Sequence, residues 1–138
     1  MNLSLPTAEV RTHPDGETIV GLFIWERPWT TNAERRGNRW TRAEMTERWR
    51  KLAFVTLRNA NAPQLTDAKA RVRVYLNGRL QDCGACHPAV KAVIDGFVDA
   101  RVLADDDATH LKSIEFVAPE RHKSNFLVVE LKGRLNGR

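Results

Sequence analysis

Residues 71–100, RVRVYLNGRLQDCGACHPAVKAVIDGFVDA, determine the fold more than any other part of the chain. Valine and leucine alternate with arginine and tyrosine over residues 71–76, which is the period-two pattern of a half-buried strand. A polar turn follows, and Pro88 then suits the first turn of a helix. The apolar stripe of this helix consists of Val90, Val93, Ile94 and Phe97. The stretch therefore predicts a strand, a long turn and an amphipathic helix that ends around Ala100.

The segments before this stretch predict a first strand and a first helix. The apolar run 18–25 suits a buried strand, and Pro28 marks its end. Thr41 and Glu44 form a capping box for a helix that should run to about Asn59. The apolar face of that helix is expected to carry Met45, Trp49, Leu52 and Thr56.

Two strand-like runs close the chain, around residues 110–117 and 125–132, with the polar turn APERHKS between them. The resulting order is βαβαββ, which predicts an α+β fold in which a small mixed sheet packs against two helices. Residues 1–17 form a polar lead segment, and residues 18–138 form a single domain. No internal repeat, low-complexity segment or linker divides the chain.

Composition is that of an ordinary globular domain, with 138 residues, 42% hydrophobic and 28% charged. A chain of this size can bury roughly two-thirds of its unfolded surface, so its stability requires neither a disulfide nor a structural metal. No apolar run reaches the roughly 18–20 residues that span a bilayer, and no N-terminal stretch joins a basic region to a long apolar run. We therefore expect a cytoplasmic protein without a membrane partner.

Cys83, Cys86 and His87 form a CxxCH pattern, which is the spacing of haem attachment and the beginning of many zinc sites. Haem attachment takes place on exported chains and usually needs a second axial ligand, for which Met1 and Met45 are poor candidates. None of the other histidines repeats a recognisable zinc-ligand spacing, and paired cysteines in a cytosol stay reduced. We therefore expect no haem, disfavour structural zinc and interpret the pattern as part of a turn. A small metal-binding module remains an alternative.

The net charge of +5 favours a polyanionic partner, and nucleic acid is the leading candidate. The basic residues cluster in one stretch: Arg35, Arg36, Arg39, Arg42, Arg48, Arg50 and Lys51. Trp29, Trp40 and Trp49 are interleaved with them. Such a mixture can follow a phosphate backbone and stack on bases. The alternative is a solvated helix face whose tryptophans point into the core.

Acidic residues surround the second predicted helix of this basic chain: Asp82, Asp95, Asp105, Asp106 and Asp107. Lys91 and Asp95 are spaced i, i+4 and therefore share a helix face. Carboxylates that hold Mg²⁺ can activate water and relieve charge at a scissile phosphodiester. The pattern is thus compatible with a nuclease, while the alternative is a surface ion pair followed by a solvated acidic turn.

The segment KAVIDGFVDARVLADDD, residues 91–107, resembles the central signature of the RusA-type Holliday junction resolvases. That signature has a lysine, an aspartate four positions later, a short run near a glycine, and a pair of aspartates. The resemblance extends to the βαβαββ order and to Pro28 and Asn32 in the loop after the first strand. It implies a Mg²⁺-dependent endodeoxyribonuclease, with Mn²⁺ as a second metal, that acts on four-way or branched DNA as a homodimer.

The resemblance also implies roles for individual residues. Asp82 and Asp106 match carboxylates associated with metal and catalysis, and Lys91 matches a lysine needed for junction cleavage. Asp95 and Asp105 match supporting acids that help to hold the metal. The DNA-binding residues are then expected to be Asn32, Arg35, Arg36, Arg39, Arg42 and Lys91.

The turn before the second helix departs from the family pattern. In the family a DxDN motif leads into the helix, whereas Gly84 and Ala85 stand here in place of its second Asp and its Asn. A few extra residues also separate Asp82 from Lys91. Because one carboxylate is replaced, a junction-binding protein that has lost cleavage is the alternative function.

Overall fold

One mixed sheet and two helices form the structure, a computed structural model that describes residues 5–31 and 39–136, with the backbone alone described at 39–41. In chain order the elements are β1 (Thr7–Thr12), β2 (Thr18–Ile24), α1 (Arg39–Asn59), β3 (Leu65–Leu76), α2 (His87–Asp99), β4 (Leu111–Phe116), β5 (Glu120–Arg121) and β6 (Phe126–Leu135). Within these residues, no helix is both long and apolar enough to cross a membrane.

The strands are ordered β1-β2-β6-β3-β4 across the sheet, and the short β5 also pairs with β3. β1, β2, β6 and β3 are antiparallel neighbours, whereas β4 and β5 run parallel to β3. A parallel pair needs a crossover connection, and α2 provides it between β3 and β4. Helix α2 and the loop that follows it therefore lie on the side of the sheet where β3 and β4 form the parallel pair.

The helices cover one face of the sheet, and a single hydrophobic core fills the space between the two layers. Successive strand residues point to opposite faces and residues two apart share one, so Val72, Val74 and Leu76 are all buried in this core. The other face, which we call the open face, carries the intervening residues of β3 and their neighbours on the adjacent strands. The predicted mixed sheet packed on two helices is therefore confirmed.

The predicted second helix and the last two predicted strands agree with the structure within a few residues. The strand predicted over residues 71–76 begins earlier, at Leu65, and the short β5 lies within the predicted turn APERHKS. Two further details differ. Residues 7–12 of the polar lead segment form β1, an edge strand that pairs with β2 through backbone hydrogen bonds and was not predicted because most of its side chains are exposed. Helix α1 begins at Arg39, so Thr41 lies inside the helix rather than at its N-cap.

Gly96 allows α1 and α2 to approach each other closely. A Cβ atom on Gly96 would lie 2.5 Å from Cβ of Ala53 and 2.7 Å from the carbonyl oxygen of Arg50. Arg50 also forms two hydrogen bonds with the carboxylate of Asp99, at 2.6 and 2.9 Å. Close packing and a bidentate ion pair therefore join the two helices along the same side of α2.

Candidate active site

The turn that precedes α2 is attached to the loop that follows β2. The backbone N–H of Thr31 donates to the carbonyl oxygen of Ala85 at 3.0 Å, and the Gln81 side-chain amide donates to the Pro28 carbonyl at 2.7 Å. Asp82 lies exposed in this turn, and its backbone carbonyl accepts a hydrogen bond from the N–H of Ala85. The two loops that the sequence linked to function therefore lie side by side.

The CxxCH residues lie in three different environments. Cys86 is 2% exposed and belongs to the core at the start of α2, and burial raises the pKa of its thiol to about 11. Cys83 is exposed, and its thiol donates to the carbonyl oxygen of Phe116 at 3.3 Å. His87 is exposed with its ring 6.3 Å from that of Phe116. The two sulfur atoms therefore have different neighbours.

Lys91 joins Asp95 on α2 to Asp106 on the loop after the helix. Its ammonium group donates to Oδ1 of Asp95 at 3.0 Å and makes a second, shorter contact with Oδ2 of Asp106. The hydrogen bond with Asp106 raises the pKa of Lys91, and the same contact lowers the pKa of Asp106. The i, i+4 pair predicted from the sequence is thus confirmed and extends to a third residue from another segment.

The acidic loop divides into two parts with different contacts. The carboxylate of Asp105 accepts a hydrogen bond from the backbone N–H of Asp106 at 2.8 Å. This bond holds the Asp105 carboxylate against the backbone of the next residue. Asp107 instead contacts residues that follow it in the chain. Its Oδ1 accepts from the N–H groups of Thr109 and His110 and lies 2.8 Å from Nδ1 of His110. Asp107 therefore orders the turn into β4, a role that the sequence did not predict.

The predicted metal ligands are only partly brought together. Asp95 and Asp106 share Lys91, and Asp105 is adjacent, whereas the contacts of Asp82 are with its own turn. No group of three or more His, Cys, Asp and Glu side chains among the described residues has the arrangement of a metal site. The carboxylate oxygens nevertheless match the ligand type that Mg²⁺ prefers, and the ammonium group of Lys91 supplies the positive charge between two of them.

A basic groove lies next to these carboxylates. It has a volume of about 760 Å³ and follows α1, with Arg42, Arg50, Lys51 and Phe54 along it and Asp99 of α2 at its side. Asp99 is one helical turn beyond Asp95. Hydrogen bonds with Asp99, and to a smaller extent the charge of Asp95, raise the pKa of Arg50. The groove and the Lys91 ion pairs therefore lie on neighbouring parts of the helical layer.

The structure changes the interpretation of the basic and aromatic cluster. Trp29 and Trp49 are 7% and 1% exposed and contact each other edge to face at 5.1 Å, so the hypothesis that these two stack on bases is wrong. The side chain of Trp40, the third tryptophan of that hypothesis, lies outside the described part of the chain. Arg48 forms a bidentate ion pair with Glu26 at 2.6 and 2.7 Å, and Arg50 pairs with Asp99. These tryptophans and arginines hold the helical layer together.

Several of the predicted DNA-binding residues fall outside the part of the chain that the structure describes. These are Asn32, Arg35 and Arg36. For Arg39 only the backbone is described, as the first residue of α1. Arg42 lies in the groove on α1, and Lys91 lies between the carboxylates. Thr31, the last described residue before the gap, lies beside Ala85.

A scan against models of protein families finds no match for the chain, and no curated protein is significantly similar to it in sequence.

Proposed function

We propose that the protein is a Mg²⁺-dependent endodeoxyribonuclease that cuts four-way or branched DNA, similar to the RusA-type resolvases. The observation that carries the proposal is the contact of Lys91 with both Asp95 and Asp106. These three residues come from a helix and from a loop 15 positions away, and they match the lysine and the two acidic positions of the family signature.

Two features of this constellation suit phosphodiester hydrolysis. The carboxylates of Asp95, Asp105 and Asp106 are the residues that would hold Mg²⁺, with Asp82 as a further carboxylate from the neighbouring turn. Bound Mg²⁺ lowers the pKa of water and offsets negative charge at the scissile phosphate. Lys91 in turn donates to an oxygen of the phosphate, because its ammonium group is about half exposed and can leave one carboxylate for a new anion.

DNA binding is assigned to the helical layer. The groove along α1 brings Arg42 and Lys51 next to the helix that carries Asp95 and Asp99, while Arg50 is paired with Asp99. Asn32, Arg35 and Arg36 lie outside the described residues and stay predicted DNA contacts. Contacts from these side chains are expected to go to the phosphate backbone, so recognition depends on the shape of the DNA rather than on base sequence. A homodimer with a two-fold axis would present two such sites to the matched strands of a junction.

The test is cleavage of a labelled mobile four-way junction, with a linear duplex of the same sequence as the control substrate. In Mg²⁺ or Mn²⁺ the protein should introduce paired nicks into the junction and leave the duplex largely intact. Addition of EDTA should abolish the cleavage. Binding of the junction without nicking in either metal would contradict the nuclease and support the alternative of a junction-binding protein, in which Gly84 replaces a required carboxylate.

A further inference from the structure

The open face of the sheet has its own groove, separated from Lys91 by the thickness of the molecule. The groove has a volume of about 420 Å³ and crosses five neighbouring strands. Its lining includes five lysine or arginine side chains and two glutamates. Arg11 and Lys132 at one side already pair with acidic residues of β1, β6 and the β1–β2 turn. The uncompensated positive charge therefore lies along β3.

Lys69, Arg71 and Arg73 occupy every second position of β3 and so all point to the open face. Arg71 pairs with Glu115 at 2.8 Å. Lys69 and Arg73 form no ion pair or side-chain hydrogen bond with any described residue. Side chains two residues apart on a strand are about 6.6 Å apart, a spacing compatible with successive phosphates of an extended nucleic acid strand.

An aromatic cluster continues this basic row at the C-terminal end of β3. Tyr75 stacks on Phe126 at a centroid distance of 4.4 Å, and Trp25 contacts the same phenyl ring at 4.7 Å. His122 lies edge-on to Phe126 at 5.0 Å. Phe126 is buried in the middle, whereas Trp25 and Tyr75 are partly exposed and His122 is exposed. The exposed surfaces of this cluster can therefore accept another flat ring.

We propose that the open face binds single-stranded nucleic acid, with phosphates along Lys69, Arg71 and Arg73 and a base stacked against Trp25 or Tyr75. Proteins that bind unpaired strands combine two features: cations that follow the phosphate backbone and aromatic side chains on which bases stack. An acidic peptide would use the cations but not the aromatic cluster, and a duplex hides the faces of its bases. This surface is independent of the proposed nuclease site, because its residues lie on the opposite layer.

The first experiment measures the affinity of an oligothymidylate by fluorescence anisotropy, with a duplex of equal length for comparison. We expect Lys69→Ala with Arg73→Ala to weaken binding of the single strand at least about tenfold and to reduce the slope of log K against log salt by about 1.4, for two lost phosphate contacts. The matched control is Arg58→Ala with Arg101→Ala, which removes the same charge from exposed positions on the helical layer. Equal losses in the two double variants would overturn the proposal.

The second experiment detects base stacking directly. Binding of the oligothymidylate should quench the tryptophan fluorescence of a Trp40→Phe background, and adding Trp25→Leu should remove most of that quenching because the remaining Trp29 and Trp49 are buried. Leucine keeps an apolar side chain against Phe126, and circular dichroism checks that the variant is folded. Unchanged quenching when Trp25→Leu is added would contradict stacking on Trp25, and a duplex affinity equal to that of the single strand in the wild type would overturn the proposal.

Discussion

Cys83 and Cys86 show at the scale of single residues how the fold separates neighbours in a sequence motif. Cys86 occupies the core at the first turn of α2, where its thiol is held protonated by burial. Cys83 is exposed three residues earlier. The CxxCH spacing alone suggests that both sulfur atoms face one ligand, but the start of a helix turns the second one toward the sheet.

Alkylation of the native protein tests this difference. At pH 8 iodoacetamide should modify Cys83 rapidly and Cys86 at least about a hundredfold more slowly, because the thiolate is the reactive form and a pKa of about 11 leaves roughly one thousandth of Cys86 ionised. Mass spectrometry of the native and the denatured protein counts the modified thiols. In the control Cys83→Ser, no rapidly reacting thiol should remain. Equal rates at the two cysteines would contradict the buried position of Cys86.

Lys91 is the residue on which the proposed function depends most, because it contacts both Asp95 and Asp106. A half-exposed lysine between two partly exposed carboxylates contributes little to stability, since solvent screens such pairs. Three charged groups are nevertheless gathered at one point, and the hydrogen bond between Lys91 and Asp106 raises the pKa of the lysine and lowers that of the aspartate. This contrast between low structural value and concentrated charge favours a functional role.

At the scale of elements, the contact between α1 and α2 depends on a glycine that the sequence signature also contains. Gly96→Ala should lower the free energy of unfolding by about 1–3 kcal/mol, because the new Cβ meets Ala53 and the rigid backbone at Arg50. Urea denaturation measures the change.

Gly21→Ala on β2 is the matched control. Its Cβ would meet neighbouring side chains at 3.6–3.8 Å, which is ordinary contact, so stability should stay the same or increase slightly. Should Gly96→Ala prove as stable as Gly21→Ala, the close helix packing described above would be wrong.

Periodicity predicted those elements whose burial alternates regularly, and it missed those that depend on distant partners. β3 and α2 follow their apolar patterns, so both were predicted to within a few residues at their common turn. β1 depends on backbone pairing with β2, and its exposed side chains give no such signal. The i, i+4 spacing predicted the Lys91–Asp95 pair, whereas the role of Asp107 in ordering the turn before β4 depends on a local hydrogen-bond pattern that charge alone does not reveal.

At the scale of the whole molecule, the sheet separates two charged surfaces. The helical layer carries the Lys91 ion pairs and the groove along α1, while the open face carries the basic row of β3 and the aromatic cluster. A protein that cuts branched DNA meets both duplex arms and unpaired bases at the branch point. In the two proposals, the helical layer cleaves the phosphodiester and the open face of the sheet binds the unpaired strand.

The rate of junction cleavage by Asp106→Asn, measured together with junction affinity, tests the central claim most directly. Asparagine keeps the volume of the side chain but removes the charge that a divalent cation requires. We predict at least a hundredfold slower cleavage, equivalent to about 2.7 kcal/mol of transition-state stabilisation, with affinity unchanged or higher. Asp107→Asn is the control, since its amide oxygen can still accept from Thr109 and His110, and it should change the rate less than about threefold. Cleavage by Asp106→Asn at the wild-type rate would contradict the assignment of the active site.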